Sequence, residues 1–102
     1  ALFGAPCLLV AAVPGDVLLE YAMLDAGLFL QTLALAAHDR GLGTCITASS
    51  VHYADLLRRH GSIPEDRRVI MGAAIGYPET EAPINRFERQ RAALKDFVKW
   101  VG

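Results

Sequence analysis

Three histidines and two adjacent serines offer the most versatile side-chain chemistry in this sequence, and none of them forms a recognisable catalytic group. His38, His52 and His60 lie at or near predicted helix ends and share no spacing with a nucleophile or a further metal ligand. Ser49 and Ser50 lack the glycines of a nucleophile elbow, so one of them is expected to cap a following helix. The sequence therefore predicts neither a catalytic side chain nor a metal site.

Two stretches raise the question of phosphate binding. Arg86, Arg89 and Arg91 lie within six residues of one another, and Arg89 with Arg91 could bind one phosphate through charge-assisted hydrogen bonds. A solvated polar stretch is the alternative interpretation. Residues 41–44 read GLGT, but they follow a helix and precede a strand, the reverse of the order in a dinucleotide or Walker loop. Their glycines are expected to let a planar ligand or another backbone approach closely.

The two cysteines, Cys7 and Cys45, are far apart and belong to no CxxC pair. Neither has a histidine at metal-ligand spacing, so a disulfide framework or a zinc site is poorly supported. The sequence predicts two buried, reduced thiols in a cytoplasmic protein.

Charge and composition narrow the classes of function. The 102 residues carry a net charge of -1 with no run of five like charges, which argues against a nucleic-acid or anionic-membrane partner. One domain over residues 1–102 is expected. The hydrophobic fraction of 53% exceeds what one small core needs, so apolar surface is expected to pack against another subunit or a further segment. Because the first residue is Ala1, the chain is expected to be part of a longer protein.

The longest regular pattern is a helix from about residue 25 to residue 37 that is apolar on all sides, closed by Gly41. Residues 17–23 are either a lead-in or its first turns. Glu20, Asp25 and Gln31 argue against a membrane span, because a carboxylate at mid-bilayer costs about 2.5 to 3.5 kcal/mol. A buried core helix is therefore predicted.

Shorter elements surround this helix. Apolar runs predict three strands, and the third is expected to be the most deeply buried. A further helix and a polar C-terminal stretch complete the chain, and this stretch is expected to end in a short helix or a docking arm. The ranges are 7–13, 42–47 and 67–77 for the strands, 51–60 for the helix, and 78–91 followed by 92–101 for the polar stretch.

Four ordered motifs then identify a known family. They are DAGxxxQxLxLAAxxxGLGTC from Asp25, GSIPEDRRV from Gly61, GxAxGYP from Gly72 and APINRFERQRAALKDFVKW from Ala82, after an opening FGAP. Together they resemble the C-terminal half of the FMN-dependent nitroreductase family. The resemblance implies an α+β homodimer with a mainly antiparallel sheet, a long central helix at the dimer interface, and a C-terminal arm, here residues 82–102, that crosses to the partner.

The same resemblance implies a flavin site without a catalytic side chain. Ile46, Thr47, Ala48 and Ser49 occupy the stretch that lies against the flavin ring in the family, where a backbone N–H donates to N5. Arg89 and Arg91 align with the basic pair that binds the FMN phosphate. The cofactor-binding residues that the resemblance implies are therefore Ile46, Thr47, Ala48, Ser49, Arg89 and Arg91. The family often has Pro and Gln where this chain has Ile46 and Thr47, and its N-terminal Arg-Ser-Arg type segment has no counterpart here.

The resemblance implies a cytoplasmic oxidoreductase in which NADH or NADPH reduces FMN, and FMN reduces a nitroaromatic, quinone or similar acceptor, in a ping-pong cycle. Two other hypotheses stay open. One is a non-catalytic dimerisation module of the same fold that no longer binds flavin. The other is a small anion-binding domain that uses the arginines near residue 90.

Overall fold

The computed structural model describes residues 2–102, which form an α+β fold around one three-stranded antiparallel sheet. The strand order is β1-β3-β2, so β3 lies in the centre and pairs with both neighbours. The elements in chain order are β1 Cys7–Pro14, α1 Leu19–Asp39, β2 Gly43–Thr47, the 3₁₀ helix η1 Ala48–Tyr53, α2 Ala54–Gly61, β3 Arg67–Gly76, α3 Pro83–Arg86 and the 3₁₀ turn η2 Leu94–Asp96.

The centre of the sheet is also the centre of the core. Val69, Ile70, Ala73 and Ala74 of β3 are all buried, which confirms the prediction that this apolar run is the most deeply buried strand. A β-bulge interrupts the pairing with β1, and it leaves Ile70 without a partner in the register. Small side chains along β3 allow η1 to pack directly on the strand.

The long helix α1 begins at Leu19, so the residues left open between a lead-in and a first turn are helical from that point. Its end matches the sequence prediction. Gly41 has φ of +75°, and the Leu42 amide donates to the Ala37 carbonyl at 2.9 Å, which satisfies a carbonyl that the helix leaves unpaired. The chain can therefore turn sharply from α1 into β2.

Residues 2–102 bury only one stripe of α1, formed by Ala22, Leu30 and Ala37. The described chain thus does not bury the helix on all sides, in contrast to the prediction of a buried core helix. At about 100° per residue, leucines on the opposite side point away from the sheet. Their exposed fractions are 60%, 62% and 62% for Leu24, Leu28 and Leu35.

The accessible surface of the chain is large for its mass. It measures 8399 Å², whereas a compact monomer of 11.0 kDa exposes about 5,600 Å². The radius of gyration is 16.5 Å, against about 13 Å for a compact domain of this length. The helix α1 is also long and apolar enough to cross a membrane, but core helices of soluble proteins meet the same criteria of length and composition. The exposed apolar surface calls for a covering partner or segment.

Two details differ from the sequence predictions. Cys7 and Cys45 are exposed rather than buried, because both lie on the outer strands of the sheet and the described chain covers neither. The helix predicted from Val51 is a 3₁₀ helix up to Tyr53 and α-helical only afterwards. Of residues 92–101, for which the sequence predicts either a short helix or a docking arm, only η2 is helical.

Gly72 of β3 is required by the packing of η1. A Cβ atom there would overlap the Ser50 hydroxyl and would lie 2.8 Å from Ser50 Cβ and 2.9 Å from Thr47 Oγ1. We expect Gly72→Ala to lower the free energy of unfolding by about 1 to 3 kcal/mol, the usual cost of overpacking. Urea denaturation measures this change. Gly61→Ala is the control, since its Cβ would meet neighbours only at 3.6 Å; equal stability of both variants would contradict the prediction.

Candidate functional site

The exit from α1 through β2 into η1 presents a short exposed stretch, residues 46–49. Ile46 has 58% of its surface exposed, and Ala48 and Ser49 are exposed as well. Within residues 2–102, β2 has a strand neighbour on one side only, so its outer edge is open. This stretch therefore offers backbone N–H groups and one apolar side chain to a flat ligand or another chain.

Thr47 behaves differently from its neighbours in this stretch. It is only 7% exposed, and its hydroxyl lies 2.8 Å from the Ser50 hydroxyl, which is equally buried. Although Thr47 directly precedes η1, its side chain does not cap that helix. Neither Ser49 nor Ser50 caps α2, whose N-cap position is Tyr53, so the predicted capping role of these serines is wrong.

The arginines lie on the exposed arm, residues 82–102. The Arg89 guanidinium stacks over the Phe87 ring, with its carbon 4.9 Å from the ring centroid. Arg91 donates to the Gln90 carbonyl at 3.0 Å. Within residues 2–102 neither forms an ion pair, whereas Arg86 lies 3.7 Å from a carboxylate oxygen of Glu81. Arg89 and Arg91 thus keep their charge available to an anion.

The chain does not bring the two parts of the predicted site together by packing. From Tyr77 to Gly102, every residue except Ala82 and Val98 is exposed. The arm therefore rests on little of the chain, and residues 46–49 form a separate surface. Among the described residues, no three His, Cys, Asp or Glu side chains cluster in a way that could hold a metal ion.

A groove between β1 and α1 lies elsewhere on the molecule. It has a volume of about 840 Å³, and its wall includes Tyr21, Asp25, Phe29 and Ile70. None of the predicted site residues contributes to it. Its mainly apolar wall on the exposed helix suggests a surface for packing rather than a site for chemistry.

Sequence reasoning missed the contribution of Ser50 and Gly72 to this region. A glycine inside a strand signals close approach of another group, so Gly72 carried a usable signal. The identity of that group depends on the sheet register, in which Thr47 is paired with Gly72. A pattern of residue types does not contain this register.

Comparison with known proteins gives a consistent result. The model of the nitroreductase family matches residues 1–77. A 4-nitrobenzoate reductase from Pseudomonas putida is 33% identical over 100 residues, which are 98% of this chain and 44% of the relative. A 4-nitrobenzoate reductase from Nocardioides sp. is 37% identical over 82 residues, 80% of this chain and 33% of the relative. The chain thus spans less than half the length of these relatives.

Solved structures agree with the sequence relatives. The FMN-dependent nitroreductase NfnB from Mycobacterium smegmatis, in complex with NADPH, superposes with a TM-score of 0.89 and 29% identity. The FMN- and NADPH-dependent NfnB from sphigopyxis sp. strain HMH gives a TM-score of 0.90 and 29% identity. In both cases the match covers 98% of this chain and 44% of the other. The fold and the family model together place this chain in the nitroreductase family, to which it belongs.

Proposed function

We propose that the protein is an FMN-dependent NAD(P)H oxidoreductase of the nitroreductase type. The observation that carries the proposal is the match, over 98% of the chain, to the backbone of an FMN-dependent nitroreductase in complex with NADPH. Two relatives are 4-nitrobenzoate reductases, which favours a nitroaromatic compound as the electron acceptor. Quinones and similar acceptors share the same chemistry. When bound, FMN takes electrons from NADH or NADPH and passes them to the acceptor in a ping-pong cycle.

The exposed stretch fits one edge of a flavin. The open side of β2 leaves backbone N–H groups free to donate, and one N–H within residues 46–49 is proposed to donate to ring N5. Ile46 would lie against the apolar ring, while the small Ala48 and Ser49 let the ring approach closely. Thr47, being buried, would contribute its backbone only.

The basic arm fits the other end of the cofactor. Arg89 and Arg91 are exposed and carry no ion pair within residues 2–102, so both can donate to the FMN phosphate. Since the arm does not pack on residues 46–49, the two parts of the site are proposed to meet in a homodimer. In that assembly the arm of one protomer crosses to its partner. Residues 1–102 would then be the second half of one cytoplasmic nitroreductase domain.

A spectroscopic experiment tests this proposal directly. The purified protein is mixed with FMN, freed of unbound cofactor on a desalting column, and scanned between 350 and 550 nm. We expect retained flavin absorbance, and bleaching of that absorbance by NADH or NADPH under anaerobic conditions. Addition of 4-nitrobenzoate is then expected to restore the oxidised spectrum.

The result also separates the proposal from its alternatives. A colourless protein that is nevertheless a dimer would refute the oxidoreductase and favour the dimerisation module, which the exposed leucines of α1 also suit. A colourless monomer that binds inorganic phosphate would favour the anion-binding domain. Riboflavin, which lacks the phosphate, is the matched control ligand and is expected to be retained poorly.

A further inference from the structure

We propose that Thr47 and Ser50 form a positioning clamp that fixes the exposed residues 48 and 49 between them. The inference rests on the proposed function, because it assigns the clamp a purpose in flavin binding. Its structural part is independent of any cofactor. Thr47 and Ser50 are positioning residues, since their side chains are buried away from the surface at which a ligand would bind.

The first argument is the use that Thr47 makes of its hydroxyl. A threonine directly before a helix usually accepts a hydrogen bond from one of the first helical amides. Here the backbone has the extended conformation suitable for capping, with φ of -119° and ψ of 99°, yet no cap is formed. The hydroxyl is instead paired with Ser50 Oγ at 2.8 Å. Its role is therefore to join two side chains three residues apart.

The second argument is the depth of the pair. Both residues are 7% exposed, whereas Ala48 and Ser49 between them are exposed. A buried hydroxyl without a partner is costly, and within residues 2–102 each hydroxyl has only the other as its side-chain hydrogen-bond partner. Any conformation of the turn that separates the two side chains would leave both hydroxyls unpaired. The hydrogen bond therefore favours one conformation of the turn.

The third argument is the contact beneath the pair. Ser50 and Thr47 lie so close to Gly72 that a Cβ there would overlap the Ser50 hydroxyl. Gly72 belongs to β3, the central and most buried strand, and it is paired with Thr47 in the sheet. The clamp thus ties the exposed turn to the central and most buried strand of the fold. A turn held in this way loses little conformational entropy when a ligand binds.

Hydrogen exchange of the backbone amides tests the clamp in the protein without flavin. Thr47→Val and Ser50→Ala each remove one hydroxyl, and we expect amide exchange at residues 46–50 to accelerate at least 10-fold in both. The double variant is expected to exchange no faster than the more affected single variant, because one hydrogen bond is lost in each case. Thr47→Ser restores the hydroxyl and is expected to restore protection.

Thr44→Val is the matched control, since it removes a hydroxyl from the same strand that makes no side-chain hydrogen bond within residues 2–102. Unchanged exchange at residues 46–50 in both hydroxyl variants would overturn the clamp. So would an equal acceleration in Thr44→Val, because that result would indicate a general loosening of β2.

Flavin binding gives the second measurement. We expect Thr47→Val and Ser50→Ala to weaken FMN binding about 5- to 10-fold and to shift the visible spectrum of the bound flavin, whereas Thr47→Ser restores both. Unchanged affinity and spectrum in both variants would overturn the positioning role. If the unmodified protein fails to retain FMN, the proposed function falls, while the exchange experiment still decides whether the clamp exists.

Discussion

Replacing both Arg89 and Arg91 with alanine is expected to weaken FMN binding about 100-fold or more. Each side chain is proposed to make a charge-assisted hydrogen bond to the phosphate, and such a bond contributes about 1.5 to 3 kcal/mol. The two together therefore account for about 3 to 6 kcal/mol, and each 1.4 kcal/mol is a factor of ten in affinity. Equilibrium titration of flavin fluorescence measures the effect.

The folded protein should tolerate this double substitution. Both arginines are exposed, and their interactions within the chain are limited to a stack over Phe87 and a bond to a neighbouring carbonyl. Surface substitutions of this kind change stability by about 0.5 kcal/mol or less. Thermal melting curves and the oligomeric state are therefore expected to match those of the unmodified protein, so that a loss of binding reports on the phosphate contact.

Two control proteins sharpen the experiment. Lys95→Ala with Lys99→Ala removes the same amount of charge from the same arm, and it is expected to leave FMN affinity within about threefold. Arg89→Lys with Arg91→Lys keeps the charge but loses the planar guanidinium groups. Its FMN affinity should therefore lie between those of the unmodified protein and of the Arg89→Ala, Arg91→Ala variant. Equal weakening by the lysine and arginine pairs would indicate general electrostatic attraction and would contradict a specific phosphate site.

The sequence contains most of the information needed for the fold. The run from Val69 to Gly76 combines β-branched and small residues and forms most of the central strand, because apolar side chains of these kinds suit a strand that is buried and paired with neighbours. Gly41 marked the end of α1, because few other residues adopt its positive φ at no cost. Local chemistry determines both features, so both could be predicted.

The features that were not predicted depend on what lies next to a residue. Cys7 and Cys45 have the composition of buried residues, but the strands that carry them are at the outer edges of the sheet. The Thr47–Ser50 pair likewise requires the sheet register and the glycine beneath it. The contacts proposed for Arg89 and Arg91 are made with surfaces that the described chain does not pack against the arm.

Placing glutamate at both Leu28 and Leu35 is expected to convert the proposed homodimer to a monomer. The two leucines are each 62% exposed and lie on the side of α1 opposite the buried stripe of Ala22, Leu30 and Ala37. A helix with apolar residues on both sides needs cover on both sides. The sheet covers one side, so a second protomer is proposed to cover the other.

The size of the effect follows from the symmetry of a dimer. Burying a leucine contributes about 1.5 to 3 kcal/mol, and a twofold axis places each substitution in the interface twice. Because each leucine is 62% exposed before association, the four leucines contribute about 4 to 7 kcal/mol, which corresponds to a dissociation constant about 10³-fold higher or more. Unpaired carboxylates at a buried contact would add a further penalty.

Sedimentation velocity over a range of protein concentrations measures the association. Leu56→Glu is the control, because Leu56 is an exposed leucine on α2 rather than α1, with 46% of its surface accessible. This variant should remain dimeric. If the α1 variant also stayed dimeric, the side of α1 that carries Leu28 and Leu35 would not be the interface, and another segment would have to cover these exposed leucines. If the variant became monomeric and lost FMN while Arg89 and Arg91 were intact, the flavin site would need the arm of the partner.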